Sequence, residues 1–160
     1  MKLMVLTAYE KEFRKCLENR LPKGIVVTYH GNEKEAIDDI ADTDILFCHA
    51  ASKEFIGKAK RLKWIHSPWI GADTLVNNVP EGVLLTRTTG VNDKDMARYA
   101  CAYILYFTQR IKERLEYQEK KLWDKLALFE DFSGNNVIVI GLGTIGLQVA
   151  RSLNELGFKV

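Results

Sequence analysis

In the first 90 residues, short apolar runs alternate with segments of helical spacing. Five runs are predicted to be strands, at residues 3–6, 25–29, 44–48, 62–66 and 82–86. Helical spacing lies between them, over residues 9–20, 33–40 and 52–59. Near-continuous apolar strands alternating with helices are typical of a parallel sheet covered on both faces. We therefore predict a flavodoxin-like, doubly wound α/β domain over residues 1–92.

A different pattern begins at Asp93. No Gly or Pro occurs from Asp93 to about Trp123, which favours one long helix linking two domains. The side chain of Asn92 or Asp93 can cap its start by accepting a backbone N–H. One apolar stripe at helical spacing is expected to face the core, made of Met96, Ala100, Tyr103, Ile104, Phe107 and Ile111.

Composition narrows the class of protein. The net charge is +2, from 23 basic and 21 acidic residues, so nothing in it argues for nucleic acid or an anionic membrane as a partner. The three cysteines are widely spaced and show neither a disulfide framework nor a metal-ligand pairing. No targeting signal is visible, and the longest later apolar run, residues 99–107, is far shorter than a membrane span. We expect a cytoplasmic protein without metal.

A glycine motif follows the next apolar run. Residues 137–140 are predicted to be a buried parallel strand, and they lead into Gly141-Leu-Gly143-Thr-Ile-Gly146 and a segment of helical spacing. Between a predicted strand and a predicted helix, the motif G-x-G-x-x-G predicts a dinucleotide-binding turn. Gly141 permits the tight turn, Gly143 lets a diphosphate approach the backbone, and Gly146 lets the helix pack closely on the strand. The alternative is a glycine-rich turn that binds nothing.

The chain ends soon after this motif. In dinucleotide-binding folds, an acidic residue for the ribose lies about 20 residues beyond the first glycines, whereas Val160 is the last residue here. We therefore expect residues 93–160 to be the linking helix and the first βα unit of an incomplete Rossmann domain. A fragment is expected, produced by a truncated reading frame, a deliberate truncation or proteolysis.

Four segments resemble one family along the whole chain: residues 62–73, residues 86–92, Met96-Ala-Arg-Tyr99, and Gly134 through Val160. They are similar to the D-isomer-specific 2-hydroxyacid dehydrogenases, and Met96-Ala-Arg-Tyr99 looks closest to the glyoxylate/hydroxypyruvate reductase branch. The resemblance implies an oxidoreductase that uses NAD or NADP to interconvert a small 2-oxo acid and a D-2-hydroxy acid. A corepressor-like member that keeps the fold without catalysis is the alternative.

The resemblance also implies binding residues. The turn at Trp69, Ile70 and Gly71 would hold the substrate carboxylate; an ordinary helix-starting turn, with Asp73 hydrogen-bonded locally, is the alternative. The implied cofactor contacts are Gly141, Gly143, Thr144, Ile145 and Gly146, together with Met96 near the nicotinamide. Many members carry Arg at the position of Thr144, and Arg98 stands where the family often has Glu. Met96 has a second interpretation, as a core residue.

No catalytic residue is assigned within the chain. The family's acid/base His, its carboxylate partner and its Arg would lie beyond Val160. His30, His49 and His66 are expected to be solvated or hydrogen-bonded, because proton transfer needs reach to the substrate and a fixed partner. His49 and Ala50 follow a strand and could line the cleft. The chain alone is expected to be inactive, and the resemblance implies a homodimer formed through residues 93–160.

Overall fold

The computed structural model describes residues 1–123 and 135–160. These separate into two compact units, residues 1–89 and residues 90–160. Gly134, where the last of the four family-like segments begins, lies outside the described residues. The domain boundary predicted after residue 92 stays a prediction.

The first unit is a five-stranded, fully parallel sheet with the strand order β2-β1-β3-β4-β5. Its strands are β1 (Lys2–Leu6), β2 (Val26–His30), β3 (Ile45–Cys48), β4 (Trp64–Ser67) and β5 (Leu84–Arg87). All five lie within two residues of the predicted runs. The order 2-1-3-4-5 is that of flavodoxin-like doubly wound sheets, so the predicted fold class is confirmed.

Short helices connect the strands of this unit: α1 (Glu10–Leu17), α2 (Glu33–Ala36), α3 (Lys53–Gly57) and α4 (Asp73–Val76). The side chains of Asn32 and Ser52 cap α2 and α3 by accepting backbone N–H groups. The helix predicted over residues 33–40 is shorter than expected. The amide of Asp39 bonds to the carbonyl three residues back, so the chain tightens and ends in a single 3₁₀ turn (Ile40–Asp42).

Both faces of the sheet are covered, and β1 shows how. Met4 and Leu6 point to one face, where they join a cluster with Leu46, Phe55 and other fully buried side chains. Leu3 and Val5 alternate to the other face and pack with apolar residues of α1 and β2. This alternation explains why a central strand is apolar at nearly every position.

The second unit contains α5 (Asp93–Thr108), α6 (Ile111–Glu119) and α7 (Thr144–Glu155). The single helix predicted from 93 to about 123 is therefore wrong. Arg110 adopts a left-handed conformation with φ 49° between α5 and α6. The side chain of Arg114 donates to the carbonyl of Gln109 at 2.8 Å, which satisfies one carbonyl exposed by the break.

The face that α5 buries also differs from the prediction. Ala97 and Cys101 are buried, and Cys101 packs with Ile104, Leu105 and residues of α7. Of the predicted stripe, Ile104 alone belongs to this cluster, whereas Met96, Tyr103 and Phe107 are exposed. The small side chains of Ala97 and Cys101 let a neighbouring helix approach closely, and spacing alone does not show which of two apolar faces is covered.

The buried strand predicted at residues 137–140 is not formed as expected. One parallel bridge, between Asn136 and Lys159, is the pairing found there among the described residues. Val137 packs in the α5–α7 cluster, but Ile138 and Ile140 are 88% and 97% exposed. Alternate side chains of residues 137–140 are therefore exposed to solvent. No helix within the described ranges is long and apolar enough to cross a membrane.

The sheet's burial pattern predicts unequal effects of one substitution. Leu46 is completely buried on β3, whereas Leu84 on the edge strand β5 is 60% exposed. Leu46→Ala should lower the free energy of unfolding by about 2–5 kcal/mol, because it leaves a cavity, and Leu84→Ala by about 0.5 kcal/mol or less. Urea unfolding followed by circular dichroism measures both. Equal losses would contradict the assigned core.

Candidate functional site

Three glycines shape the turn that leads into α7. Gly141 has φ +94°, in the left-handed region that favours glycine. A Cβ on Gly146 would collide with the carbonyl oxygen of Gly141, so Gly146 permits close packing against the glycine turn; the packing on a strand that was predicted for it stays a prediction. Gly143 differs from both, since its φ is −71° and a Cβ there would meet nothing within 4 Å. The backbone therefore requires glycine at 141 and 146 but leaves open space beside 143.

The start of α7 offers free donors. Gly143 is the N-cap residue and no side chain caps the helix. The amide of Leu147 makes the first intrahelical bond, to the carbonyl of Gly143. The amides of Thr144, Ile145 and Gly146 thus precede the hydrogen-bonded part of the helix, and no acidic residue lies in its first turn. Such an end attracts anions, and the residues present fit the diphosphate of a dinucleotide.

The side chain of Thr144 is engaged within the protein. Its hydroxyl donates to the Asp93 carboxylate at 3.2 Å. The predicted capping of α5 by Asn92 or Asp93 is wrong, because no side chain makes a cap hydrogen bond at Asn92, the N-cap residue. The carboxylate of Asp93 instead reaches the first residue of α7. Thr144 therefore offers its amide, and not a free hydroxyl, at the glycine turn.

The predicted substrate turn follows β4. Trp69 donates its amide to the buried hydroxyl of Ser67 at 3.3 Å. Within the described residues, the amides of Ile70 and Gly71 have no acceptor. α4 begins at Asp73, so the turn does start a helix, as the alternative has it, but the side chain of Asp73 makes no hydrogen bond to a described residue. Two adjacent free amides can hold a small anion.

Neighbouring strand ends bring two further side chains to this turn. The ring of His49 stacks on the exposed ring of Trp69, with centroids 4.7 Å apart. Arg87, the last residue of β5, donates from its guanidinium to the carbonyl of Ile70. Arg87 was missed at the level of sequence. Its position offers a signal, since it ends a strand that neighbours β4 and strand ends share one edge of a parallel sheet.

Of the other histidines, His66 is hydrogen-bonded, as expected, whereas the buried Nε2 of His30 lies close to a carboxylate without the geometry of a hydrogen bond. The ring nitrogens of His66 lie 2.8 Å from the Thr86 hydroxyl and 3.3 Å from the Thr88 hydroxyl. His30 lies 3.1 Å from a carboxylate oxygen of Asp39. Burial raises the pKa of the Cys48 thiol to about 12, so this thiol stays protonated at neutral pH and is not a nucleophile.

Met96 and Arg98 lie on α5. Met96 is 45% exposed, so the alternative that it fills the core is wrong; its approach to a nicotinamide stays a prediction. Arg98 pairs with Asp95 at 2.9 Å on the exposed surface of the same helix. An exposed pair of this kind contributes little to stability.

Comparison with known proteins identifies the relatives of this chain. Residues 101–160 match the model of the D-isomer specific 2-hydroxyacid dehydrogenase, NAD binding domain. Over these residues the chain is similar to that domain. Because the matched model is an NAD-binding domain, the predicted cofactor class, NAD or NADP, is confirmed. The contacts assigned to single residues stay predictions.

Curated relatives and a solved structure extend the match. The glyoxylate reductase of Thermofilum pendens is 28% identical over 141 residues, covering 81% of this chain and 41% of the relative. The hydroxypyruvate reductase of Thermotoga maritima is 28% identical over 84% of this chain and 46% of its own length. A D-isomer specific 2-hydroxyacid dehydrogenase family protein of Aeromonas salmonicida shares the fold, with a TM-score of 0.85, 22% identity, and coverage of 99% of this chain and 52% of that one. The chain thus spans less than half of each curated relative.

The glycine turn predicts opposite outcomes for two alanine substitutions. Gly146→Ala places a methyl group against the carbonyl of Gly141, so the turn must shift and α7 should lose about 1–3 kcal/mol of stability. Gly143→Ala meets open space at an ordinary φ and should leave stability nearly unchanged. Amide hydrogen exchange in α7 measures both variants. A G146A protein with wild-type exchange would contradict the close contact.

Proposed function

We propose that residues 1–160 carry the substrate domain and the first nucleotide-binding unit of an NAD(P)-dependent oxidoreductase that interconverts a small 2-oxo acid and a D-2-hydroxy acid. The glycine turn before α7 carries this proposal. The backbone does not need glycine at 143, yet glycine stands there, beside amides that no side chain caps. The curated relatives named glyoxylate reductase and hydroxypyruvate reductase support glyoxylate or hydroxypyruvate as the kind of substrate.

In this proposal the cofactor diphosphate lies on the amides of Gly143, Thr144, Ile145 and Gly146. The carboxylate of Asp93 holds the hydroxyl of Thr144, so Thr144 contributes through its backbone. Met96, exposed one turn into α5, is proposed to approach the nicotinamide. The bound nicotinamide supplies the hydride chemistry, and the residues of this chain bind and orient it.

The substrate carboxylate is proposed to accept hydrogen bonds from the amides of Ile70 and Gly71. Neither amide has an acceptor within the described residues, so an anion there would satisfy two donors. The exposed ring of Trp69, stacked on His49, would give the substrate an apolar wall beside these donors. Two adjacent amide donors beside one aromatic ring suit an acid of two or three carbons.

The acid/base group is proposed to lie outside residues 1–160. His66 has hydrogen-bond partners at both ring nitrogens, and His30 is paired with Asp39. His49 stacks on Trp69, but a carboxylate that would orient its ring is not found among the described residues. A chain with these residues alone is therefore proposed to bind without turning over. A cytoplasmic location also stays a prediction.

A binding titration tests the function. In the ¹⁵N-labelled 160-residue chain, NADH should shift the amide signals of Gly143, Thr144, Ile145 and Gly146, and glyoxylate should shift those of Ile70 and Gly71. Gly143→Val should weaken NADH binding about tenfold or more, because its side chain occupies the open space beside the donors. Gly57→Val is the matched control, since a Cβ at Gly57 also meets nothing within 4 Å.

The outcomes separate the alternatives. Loss of NADH binding in G57V, or its retention in G143V, would contradict the assignment of the diphosphate. A response to NADH without any response to glyoxylate would favour a non-catalytic dinucleotide-binding protein. The same samples should not oxidise NADH in the presence of glyoxylate or hydroxypyruvate, and steady oxidation would overturn the proposal that the acid/base group lies elsewhere.

We further propose a homodimer that forms through residues 93–160. Tyr99, Tyr103 and Phe107 follow one another on α5 with 61%, 51% and 69% of their surface exposed, and their rings contact in sequence. Phe107→Glu should raise the dimer dissociation constant about tenfold or more, because a charge would be buried in the contact. Leu84→Glu, at an exposed site of the first unit, is the control. Analytical ultracentrifugation decides, and a monomeric wild-type chain would contradict the proposal.

A further inference from the structure

Arg87 is bound to the backbone of the predicted substrate turn. It ends β5 and lies directly opposite Ser67 in the neighbouring strand β4. Its guanidinium donates to the carbonyl of Ile70. Among residues 1–123 and 135–160, Arg87 has no carboxylate partner. The hydrogen bond to the carbonyl of Ile70 is therefore the polar contact through which Arg87 can influence the turn.

The planar peptide turns this contact into a constraint on the next amide. The bond between Ile70 and Gly71 is trans, as no cis peptide occurs in the described chain. In a trans peptide, C=O and N–H point in opposite directions. Because Arg87 holds the carbonyl of Ile70 on one side, the N–H of Gly71 is held on the other, and it has no acceptor there.

A second group holds the same turn by its flanking carbonyls. The hydroxyl of Ser67, in a completely buried residue, lies 3.4 Å from the carbonyl oxygens of both Trp69 and Gly71. The single proton of this hydroxyl can be donated to one of the two carbonyls at a time, and Arg87 donates to the carbonyl between them. The amides of Ile70 and Gly71 have no acceptor within the described residues.

We infer that Arg87 is a positioning residue for the substrate carboxylate. Its hydrogen bond to the carbonyl of Ile70 keeps the Ile70–Gly71 peptide turned so that the N–H of Gly71, and not the carbonyl oxygen, meets the anion. Without that bond the peptide can rotate and present its carbonyl, which repels a carboxylate. The carboxylate of Asp73 lies 3.4 Å from the Cβ position of Gly71, so the orientation of this peptide matters all the more for an incoming anion. The inference rests on the proposed substrate turn.

Oxalate titration of the full 160-residue chain tests this role. In the wild type, oxalate should shift the ¹⁵N–¹H signals of Ile70 and Gly71. Arg87→Met should raise the dissociation constant for oxalate about tenfold, the effect of losing one charge-assisted hydrogen bond. Arg87→Lys keeps a donor and should restore binding to within about threefold of wild type. Arg20→Met, an exposed residue of the same unit, controls for the lost charge.

A second readout does not depend on the ligand. The ¹⁵N shift of Gly71 reports the hydrogen bond accepted by the preceding carbonyl, so it should move in ligand-free R87M and stay near wild type in R87K and R20M. Thermal unfolding identifies any variant that has lost its fold, in which case R87K carries the comparison.

The results distinguish the two levels of the proposal. If oxalate leaves Ile70 and Gly71 unmoved in the wild type, the substrate turn itself is wrong and the role of Arg87 fails with it. If the wild type responds and folded R87M binds oxalate equally well, the substrate turn stands and the role of Arg87 is overturned. An equal loss in R20M would assign the effect to net charge and would also overturn it.

Discussion

Backbone amides without an acceptor are the feature on which both candidate sites depend. At the start of α7 they arise because the first turn of any helix has donors with no intrahelical partner, and here no side chain caps them. At the turn after β4 the hydroxyl of Ser67 and the guanidinium of Arg87 donate to the turn's carbonyls, while the amides of Ile70 and Gly71 have no acceptor within the described residues. In each case the donors are fixed before a ligand arrives, so binding an anion orders little additional chain.

A carboxylate lies beside each set of amide donors, but the two turns differ in whether a positive side chain is bound to them as well. Asp73 lies near Gly71, and Arg87 places a positive charge on the same turn. Asp93 reaches Thr144 at the start of α7. Thr144 brings no charge, so the helix end and its amides would have to attract a diphosphate. The proposed substrate turn therefore has a cation as well as a carboxylate nearby, whereas the donors at the start of α7 lie beside a carboxylate.

The sequence predicted the strands of the first unit well because each strand is a short local run of apolar residues between helical segments. A continuous apolar run between helices is typical of a strand in a parallel sheet covered on both faces, and all five runs form one such sheet, with the edge strands β2 and β5 partly exposed. The predictions that were wrong concern features that are determined by contacts between residues distant in sequence or by local breaks that spacing does not reveal. Arg110 breaks a segment of good helix formers, small residues decide which face of α5 is buried, and a single bridge forms where a strand was expected. Arg87 was missed for the same reason, since its partner is a carbonyl 17 residues away in sequence.

The two units also differ in how far they bury their own apolar surface. In the first unit, both faces of the sheet close over large, fully buried side chains such as Phe55 and Met4. In the second, Ile138, Ile140, Tyr103 and Phe107 stay exposed around a small cluster at Cys101 and Leu153. Exposed apolar side chains at this density are typical of interaction surfaces, which agrees with the proposed homodimer. The proposed substrate turn can therefore form within the first unit alone. The conformational stability of the glycine turn should depend on whether the exposed apolar side chains of the second unit become covered. Cofactor affinity should then rise with association, while oxalate affinity should not, because no residue of the substrate turn belongs to the exposed aromatic face.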